Sequence, residues 1–385
     1  MSHIYVDHAA DTPLCPAARE AMLPALTEHW GSASSVHGMG AQARAWIDRA
    51  REHVASMAGC EPDEVYFTSG ATEALNWAVK VVGLGEAGAP RGIVSSLIEH
   101  EATLGACRWC AERGAPVTWM PVGADGRARP AEVDVRLSGG IGLVALMAAN
   151  NETGCTQPVD DAVRLARDAG ALLLVDAVQS APWGLAPFRG SGIDLVALSA
   201  HKFNGPQGVG ALLIRRGTKF ASWMHGGGQE QGLRAGTPNT ASVMGMGAAA
   251  GQVVARRGMA GAVACLRDRL QASLLARVDG VLVTAGDAPR LPGHLHVLVR
   301  GVEGEAVVMG LSQQGVCASA GAACSSGTVE VSHVLRAMGV PDELGRGAVR
   351  FSLGPETTAD DVDRTVGVMT DVVAELRALG GRVPG

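Results

Sequence analysis

The chain has 385 residues, enough for two or three domains at roughly 150 residues each. Apolar residues make up 47% and charged residues 18%, which excludes a disordered chain, and no apolar run approaches the ~20 residues of a membrane span. The formal net charge is −6 with no basic block, which argues against nucleic acid as a partner, and eight cysteines with no secretory signal point to reduced thiols in a cytoplasm.

In chain order, Ala43, Trp46, Ile47, Ala50, Val54, Met57 and Ala58 recur at steps of three and four and predict an amphipathic helix. Residues 65–67 read as a strand, 74–82 as a helix, 93–96 as a strand and 103–113 as a helix. Strand 142–148, helix 160–169 and strands 171–176, 195–199 and 210–215 follow. Such alternation predicts an α/β fold with a mostly parallel sheet covered on both faces. Polar clusters follow the strands at residues 68–73, 99–101, 150–152, 176–179 and 199–202. In a sheet of this kind, ligands bind beyond the carboxyl ends of the strands, so the clusters converge on one site.

From about residue 255, after a Gly/Ala-rich stretch at 245–251, the texture changes. A long helix, a strand region at 291–300, a helix at 305–314 and a C-terminal helix at 359–379 predict a smaller α+β domain. The division is placed at residues 14–254 for the large domain, and 1–13 with 255–385 for the small one. No internal repeat is present.

Lys202 follows the strand 195–199 directly. A lysine there can have its pKa lowered by burial and attack carbonyl carbon, although an ordinary surface lysine is the commoner outcome. Asp176 ends an apolar strand. It either caps a turn or pairs with a protonated pyridine nitrogen, the partner that makes pyridoxal 5'-phosphate (PLP) an electron sink. Thr68-Ser69-Gly70-Ala71-Thr72-Glu73 lies between strand and helix, as an ordinary N-cap or an anion site; it is not a nucleotide P-loop. Cys324 stands in Ser319-Ala320-Gly321-Ala322-Ala323-Cys324-Ser325-Ser326-Gly327, where every residue is small. Such a thiol is accessible, and its thiolate character sets its reactivity. Cys317 fits a buried structural thiol better. Arg350, in a predicted strand, has the fork that holds a carboxylate.

These segments occur in one order. Asp7-His8-Ala9-Ala10, residues 31–37, 68–73 and 99–101, Asn150-Asn151-Glu152-Thr153-Gly154, and residues 176–179 come first. His201-Lys202, residues 226–230, Arg234-Ala235-Gly236-Thr237-Pro238, the Cys324 loop, Ser332-His333-Val334-Leu335 and residues 350–354 follow. From residue 4 to about 370 the chain resembles the NifS/IscS-type (group I) cysteine desulfurases, which are fold type I PLP-dependent transferases. The resemblance implies a large domain with a mostly parallel seven-stranded sheet between helices, and a smaller α+β domain carrying Cys324 and Arg350.

By the same resemblance, Lys202 forms a Schiff base with PLP and Asp176 meets the ring nitrogen. Gln179 meets the ring hydroxyl, and His100 stacks on the ring. Ala71, Thr72, Ser199 and His201 hold the phosphate. Thr237 reaches the phosphate of the neighbouring subunit, which implies a homodimer. Asn151 and Arg350 bind L-cysteine. Lys202 removes the α-proton, Cys324 takes the sulfur as a persulfide, and L-alanine leaves. His100 is the expected acceptor of the Cys324 proton. The sulfur passes to an iron–sulfur scaffold protein or another acceptor of a thiolation pathway. The alternatives are a selenocysteine lyase, another small-amino-acid enzyme of the same fold, and a PLP-free scaffold protein.

The chain departs from the family at Asp11, where a small or hydroxyl residue is usual, and at Ala322, where Ser is common. The stretch after Arg350 is shorter than in the housekeeping desulfurases, where it helps to dock the scaffold protein. Other signals are set aside. Cys107 and Cys110 form a lone CxxC in a predicted helix, with no second ligand pair. His225-Gly226-Gly227-Gly228 lacks a G-x-S-x-G partner. His294 and His296 are read as facing opposite sides of a strand and so as no metal pair; no metal is expected.

Overall fold

The computed structural model describes residues 3–85, 89–134, 140–184, 188–321 and 330–380. In chain order the first part comprises β1 (Ile4–Tyr5), α1 (Pro16–Thr27), α2 (Gly38–Ala58), β2 (Val65–Thr68), α3 (Ala71–Leu84), β3 (Gly92–Ser96), α4 (Glu101–Ala111) and β4 (Val117–Met120). Next come β5 (Ile141–Met147), α5 (Val159–Ala169), β6 (Leu172–Asp176), β7 (Leu195–Ser199), β8 (Gly210–Ile214) and α6 (Thr240–Arg256). The remainder is α7 (Ala260–Arg277), β9 (Val281–Val283), β10 (His294–Val299), α8 (Gly304–Gln313), β11 (Val316–Cys317), β12 (Ser319–Ala320), α9 (His333–Ala337), α10 (Asp342–Gly345), β13 (Ala348–Ser352) and α11 (Ala359–Gly380).

Seven strands form one sheet in the order β2-β8-β7-β6-β5-β3-β4, and β8 alone runs against its neighbours. The expected mostly parallel seven-stranded α/β sheet is therefore present. Strand side chains alternate between two cores. Phe67, Val94, Val144, Leu146, Val175 and Leu198 pack on one face. Tyr66, Ile93, Leu143, Leu174, Leu195 and Leu212 pack on the other, under α3 and α4. With helices on both faces, a strand is apolar on both sides, which is why these strands read as continuous apolar runs.

The periodic apolar face of α2 ends where Gly59 turns left-handed at φ +70 and donates to the Ala55 carbonyl. That face packs on α6, a helix that sequence texture left unassigned. A Cβ on Gly247 would lie 2.5 Å from the Ala50 Cα. The glycines that lower helix propensity here permit two backbones to touch.

The later segments build a separate antiparallel sheet, β12-β13-β10-β9, on its own core of Val297, Val307, Phe351, Val366 and Met369 with their neighbours. The chain's N-terminus belongs to this core: Ile4 and Val6 join it, and β1 pairs with β11. The segment then crosses to the large sheet. The Ala9 N–H donates to Ser352 Oγ at 2.8 Å, while the Thr12 and Cys15 N–H groups donate to the His201 and Asn204 carbonyls. This strap lays residues 7–12 over the ends of β6 and β7.

Candidate active site

The carboxyl ends of β2, β5, β6 and β7, with the strap and β13, surround a cavity of about 590 Å³. It is lined by Ala71, Thr72, His100, Asn151, Asp176, Gln179, Ser199, His201, Lys202 and Arg350. Every expected site residue is therefore gathered there except Thr237 and Cys324. Thr237 is exposed and lines an adjoining recess with Ser69 and Gly208. Cys324 lies outside the described residues, as does Ala322.

The floor begins at α3. Gly70, at φ +154, caps the helix and lets the chain turn from β2 into it. A Cβ on the facing Gly210 would lie 2.7 Å from the Gly70 Cα, so Gly210 lets β8 pass this closely, while Gly70 is needed for its backbone turn. The first-turn amides of α3 have no acceptor within the helix and form a cradle of donors. Ser69 N–H is occupied by Glu73 Oε2 at 2.7 Å, and Glu73 is fixed in turn by the half-buried Arg234 at 2.8 Å.

Asp176 is buried at the end of β6, where its Oδ1 accepts the Val178 N–H at 3.0 Å. Burial pushes its carboxyl above the usual range; the Val178 bond and the charges of His100 and Lys202 pull the other way. Lys202 occupies the short turn after β7. Its Nζ donates to the Ala9 and Ala10 carbonyls at 2.6 and 2.7 Å. Burial, then the charge of Arg350, lowers the ammonium to about 8, against the pull of Asp11, Asp7 and Asp176. This is the perturbed amine that the sequence position suggested.

His100 caps α4, with Nδ1 accepting the Ala102 N–H at 3.1 Å. A neutral ring so held carries its proton on Nε2, which then donates. Acceptance of the Cys324 proton therefore requires the ring to release Ala102. Gln179 donates from Nε2 to the Ala9 carbonyl at 2.8 Å, so the strap orients its amide. Asn150, which sequence reasoning left without a role, shapes the loop that carries Asn151. Its Oδ1 accepts the Glu152 and Thr153 N–H groups at 2.9 Å each, and its Nδ2 donates to the Ile98 carbonyl at 2.9 Å.

Arg350 reaches in from β13. It donates to Asp7 Oδ1 at 2.8 Å and to the Asn151 carbonyl at 2.9 Å, and its buried Nε has no partner among the described residues. The guanidinium is thus already aimed by a carboxylate and retains a donor. Glu99 was legible only as a neighbour of His100. It is fully buried, its Oε1 accepting from Ser96 Oγ at 2.8 Å and from the Met147 N–H at 3.0 Å. Burial pushes it to about 8, the two hydrogen bonds oppose this, and the charge of Asp176 adds to it.

The residues present fit PLP. A fully buried carboxylate is costly unless a cationic group meets it. Asp176 offers that demand in the cavity, the free N–H donors at the start of α3 can hold a phosphate, and a lysine of lowered pKa stands beneath the strap.

The signals set aside resolve differently. Cys107 and Cys110 are buried on α4, and burial pushes their thiols to about 12 and about 11, away from thiolate chemistry. The expectation for His294 and His296 is corrected: two positions apart on β10, their side chains project from the same face. Burial, then Arg350, lowers both rings to about 3, which leaves neutral imidazoles. Among the described residues no His, Cys, Asp and Glu group could hold a metal ion.

Comparison with known proteins identifies the chain's family and fold. The class-V aminotransferase family matches residues 4–365. A cysteine desulfurase of Cereibacter sphaeroides is 46% identical over 382 residues, covering 98% of both chains. A cysteine desulfurase of Nostoc sp. (strain PCC 7120) is 39% identical over 380 residues, covering 98% of this chain and 95% of its own. Among solved structures, a NifS-like protein superposes with a TM-score of 0.88 at 33% identity, covering 97% of this chain and all of the other.

Proposed function

The chain belongs to the class-V aminotransferase family, among its cysteine desulfurases, and from that premise we propose how its residues convert L-cysteine to L-alanine and enzyme-bound sulfur. The observation that carries this reading is the convergence of Asp176, Lys202, the α3 amides and Arg350 on one cavity. PLP, when bound, supplies the electron sink for the substrate's α-carbon.

Each residue then has a task. Asp176 holds the proton of the ring nitrogen, and Gln179, set by Ala9, orients the ring. Ala71, Thr72, Ser199 and His201 hold the phosphate, and His100 covers the ring and holds a proton at Nε2. Arg350 and Asn151 bind the substrate carboxylate, which fixes its α-carbon over Lys202 Nζ. Lys202 Nζ moves the α-proton. The Cys324 thiolate attacks the substrate sulfur and forms an S–S bond. The carbon–sulfur bond breaks with its electron pair on carbon; the fragment takes one proton at Cβ and regains one at the α-carbon from Lys202, and leaves as L-alanine. The persulfide then passes to an iron–sulfur scaffold or another thiolation acceptor.

We further propose a homodimer in which Thr237 reaches the neighbouring phosphate; its exposure beside Ser69 and Gly208 supports this. Two separate cores support a division into 14–254 and 1–13 with 255–385. A cytoplasmic location suits the seven described cysteines, all free thiols. No described helix is long and apolar enough to cross a membrane.

The test is direct. Purified protein given PLP, L-cysteine and a thiol should release alanine and sulfide in equal amounts. Borohydride reduction and peptide mapping should place the pyridoxyl group on Lys202; no adduct there would overturn the reading.

A further inference from the structure

Asp11 stands where the family usually carries a small or hydroxyl residue, and both its oxygens are engaged inside the cavity wall. Oδ1 lies 3.0 Å from His201 Nδ1 and accepts the Thr12 N–H at 2.9 Å. Oδ2 accepts the side-chain amide of Gln207. The pair is locked from behind, because Thr12 donates to the His201 carbonyl through its N–H at 3.0 Å and through its hydroxyl at 2.6 Å. Asp11, His201 and Gln207 all line the cavity. A carboxylate on one imidazole nitrogen fixes the tautomer and aims the other nitrogen at a second partner. A threonine hydroxyl at position 11 would be uncharged and could not serve His201 and Gln207 together.

We propose that Asp11 is a positioning residue for the cofactor's phosphate: it accepts from His201 Nδ1, and with the phosphate on the far side the ring is the imidazolium, whose Nε2–H donates to the anion. The inference rests on the reading of His201 as a phosphate ligand. Electrostatics point the same way. Burial and then Lys202 lower the His201 pKa, and Asp11 opposes both. Lys202 and Asp11 are the charged groups acting on this ring among the described residues; Thr12 and Gln207 present only neutral groups. Asp11 itself stays ionised: burial raises it, but the bonds from Gln207, His201 and Thr12 outweigh burial and hold it below its usual value. Asp11 thus offsets part of the net lowering of the His201 pKa, so a bound phosphate protonates the ring at higher pH than it could without Asp11.

Wild-type full-length protein, Asp11→Asn and Asp11→Thr are stripped of cofactor and titrated with PLP from pH 5 to 8.5. Asp11→Thr should bind PLP roughly tenfold more weakly at pH 7. Asp11→Asn keeps an acceptor for Nδ1 but loses the charge. It should match wild type at the acid end and lose affinity about one pH unit earlier. Nitrogen NMR of the cofactor-free proteins should show His201 protonated at Nδ1 in wild type and a tautomer mixture in Asp11→Thr. Affinity and midpoint unchanged in both variants, with the ring signals unmoved, would overturn the proposal. If Asp11→Thr does not fold, an unshifted Asp11→Asn midpoint does so alone. A wild type that binds no PLP, or a His201→Gln variant that binds it equally well, would instead defeat the phosphate reading itself.

Discussion

Lys202 supplies the most quantitative test of the site. Its ammonium is lowered from 10.5 to about 8, chiefly by burial and next by Arg350. At pH 7 about a tenth of the amine is then free, roughly 300-fold more than for an ordinary lysine. The assay is capture of pyridoxal, which lacks the phosphate anchor, by cofactor-free protein, trapped with borohydride and read at Lys202 by mass spectrometry. The initial rate should rise with pH to a plateau with its midpoint near 8. Arg350→Gln removes a cation that disfavours the ammonium, so its midpoint should move up, toward but short of 10.5, because burial remains. Removing any of the three carboxylates that favour the ammonium, as in Asp7→Asn, should move the midpoint down. A wild-type midpoint near 10, or an Arg350→Gln midpoint that falls, would refute the reasoning.

Three further outcomes are expected. Cys324→Ala should keep the visible absorbance of bound cofactor and lose sulfide release by at least about 10³-fold, measured with L-cysteine and a thiol. Glu99, raised to about 8 from 4.5, stabilises the fold fully below 4.5 and loses that contribution as pH rises to about 8. Glu99→Gln, neutral throughout, should therefore gain on wild type by a few kcal/mol between pH 5 and 8 in urea unfolding, then run parallel above. Gly247→Val forces a side chain into the Ala50 backbone and should cost about 1–3 kcal/mol or more in the same assay.

Much of this protein is legible in one dimension. The strands of the large sheet are buried on both faces, so hydrophobicity alone marks them, and the polar clusters at their ends are local in sequence. The helix α2 shows its inward face through Ala43, Ile47, Ala50 and Val54. Lys202 and Asp176 stand directly after apolar strands, where parallel topology makes a common site unavoidable. The long Gly/Ala helix α6 did not announce itself, because its stability comes from touching α2 rather than from its own propensity. Short strands β1, β11 and β12 are likewise invisible locally, since each exists only through a partner distant in sequence.

Sequence by itself determined the strands of the large sheet and most of the helices on it, and marked the polar clusters that converge at its edge, because residue type and spacing are chain-local properties. Tertiary structure alone decided their states. It laid the N-terminal strap over Lys202, set Asp7 against Arg350, paired Asp11 with His201, and buried Glu99 beneath the site. Those contacts join residues far apart in the chain, and their charges respond to burial and distance, which no local pattern encodes.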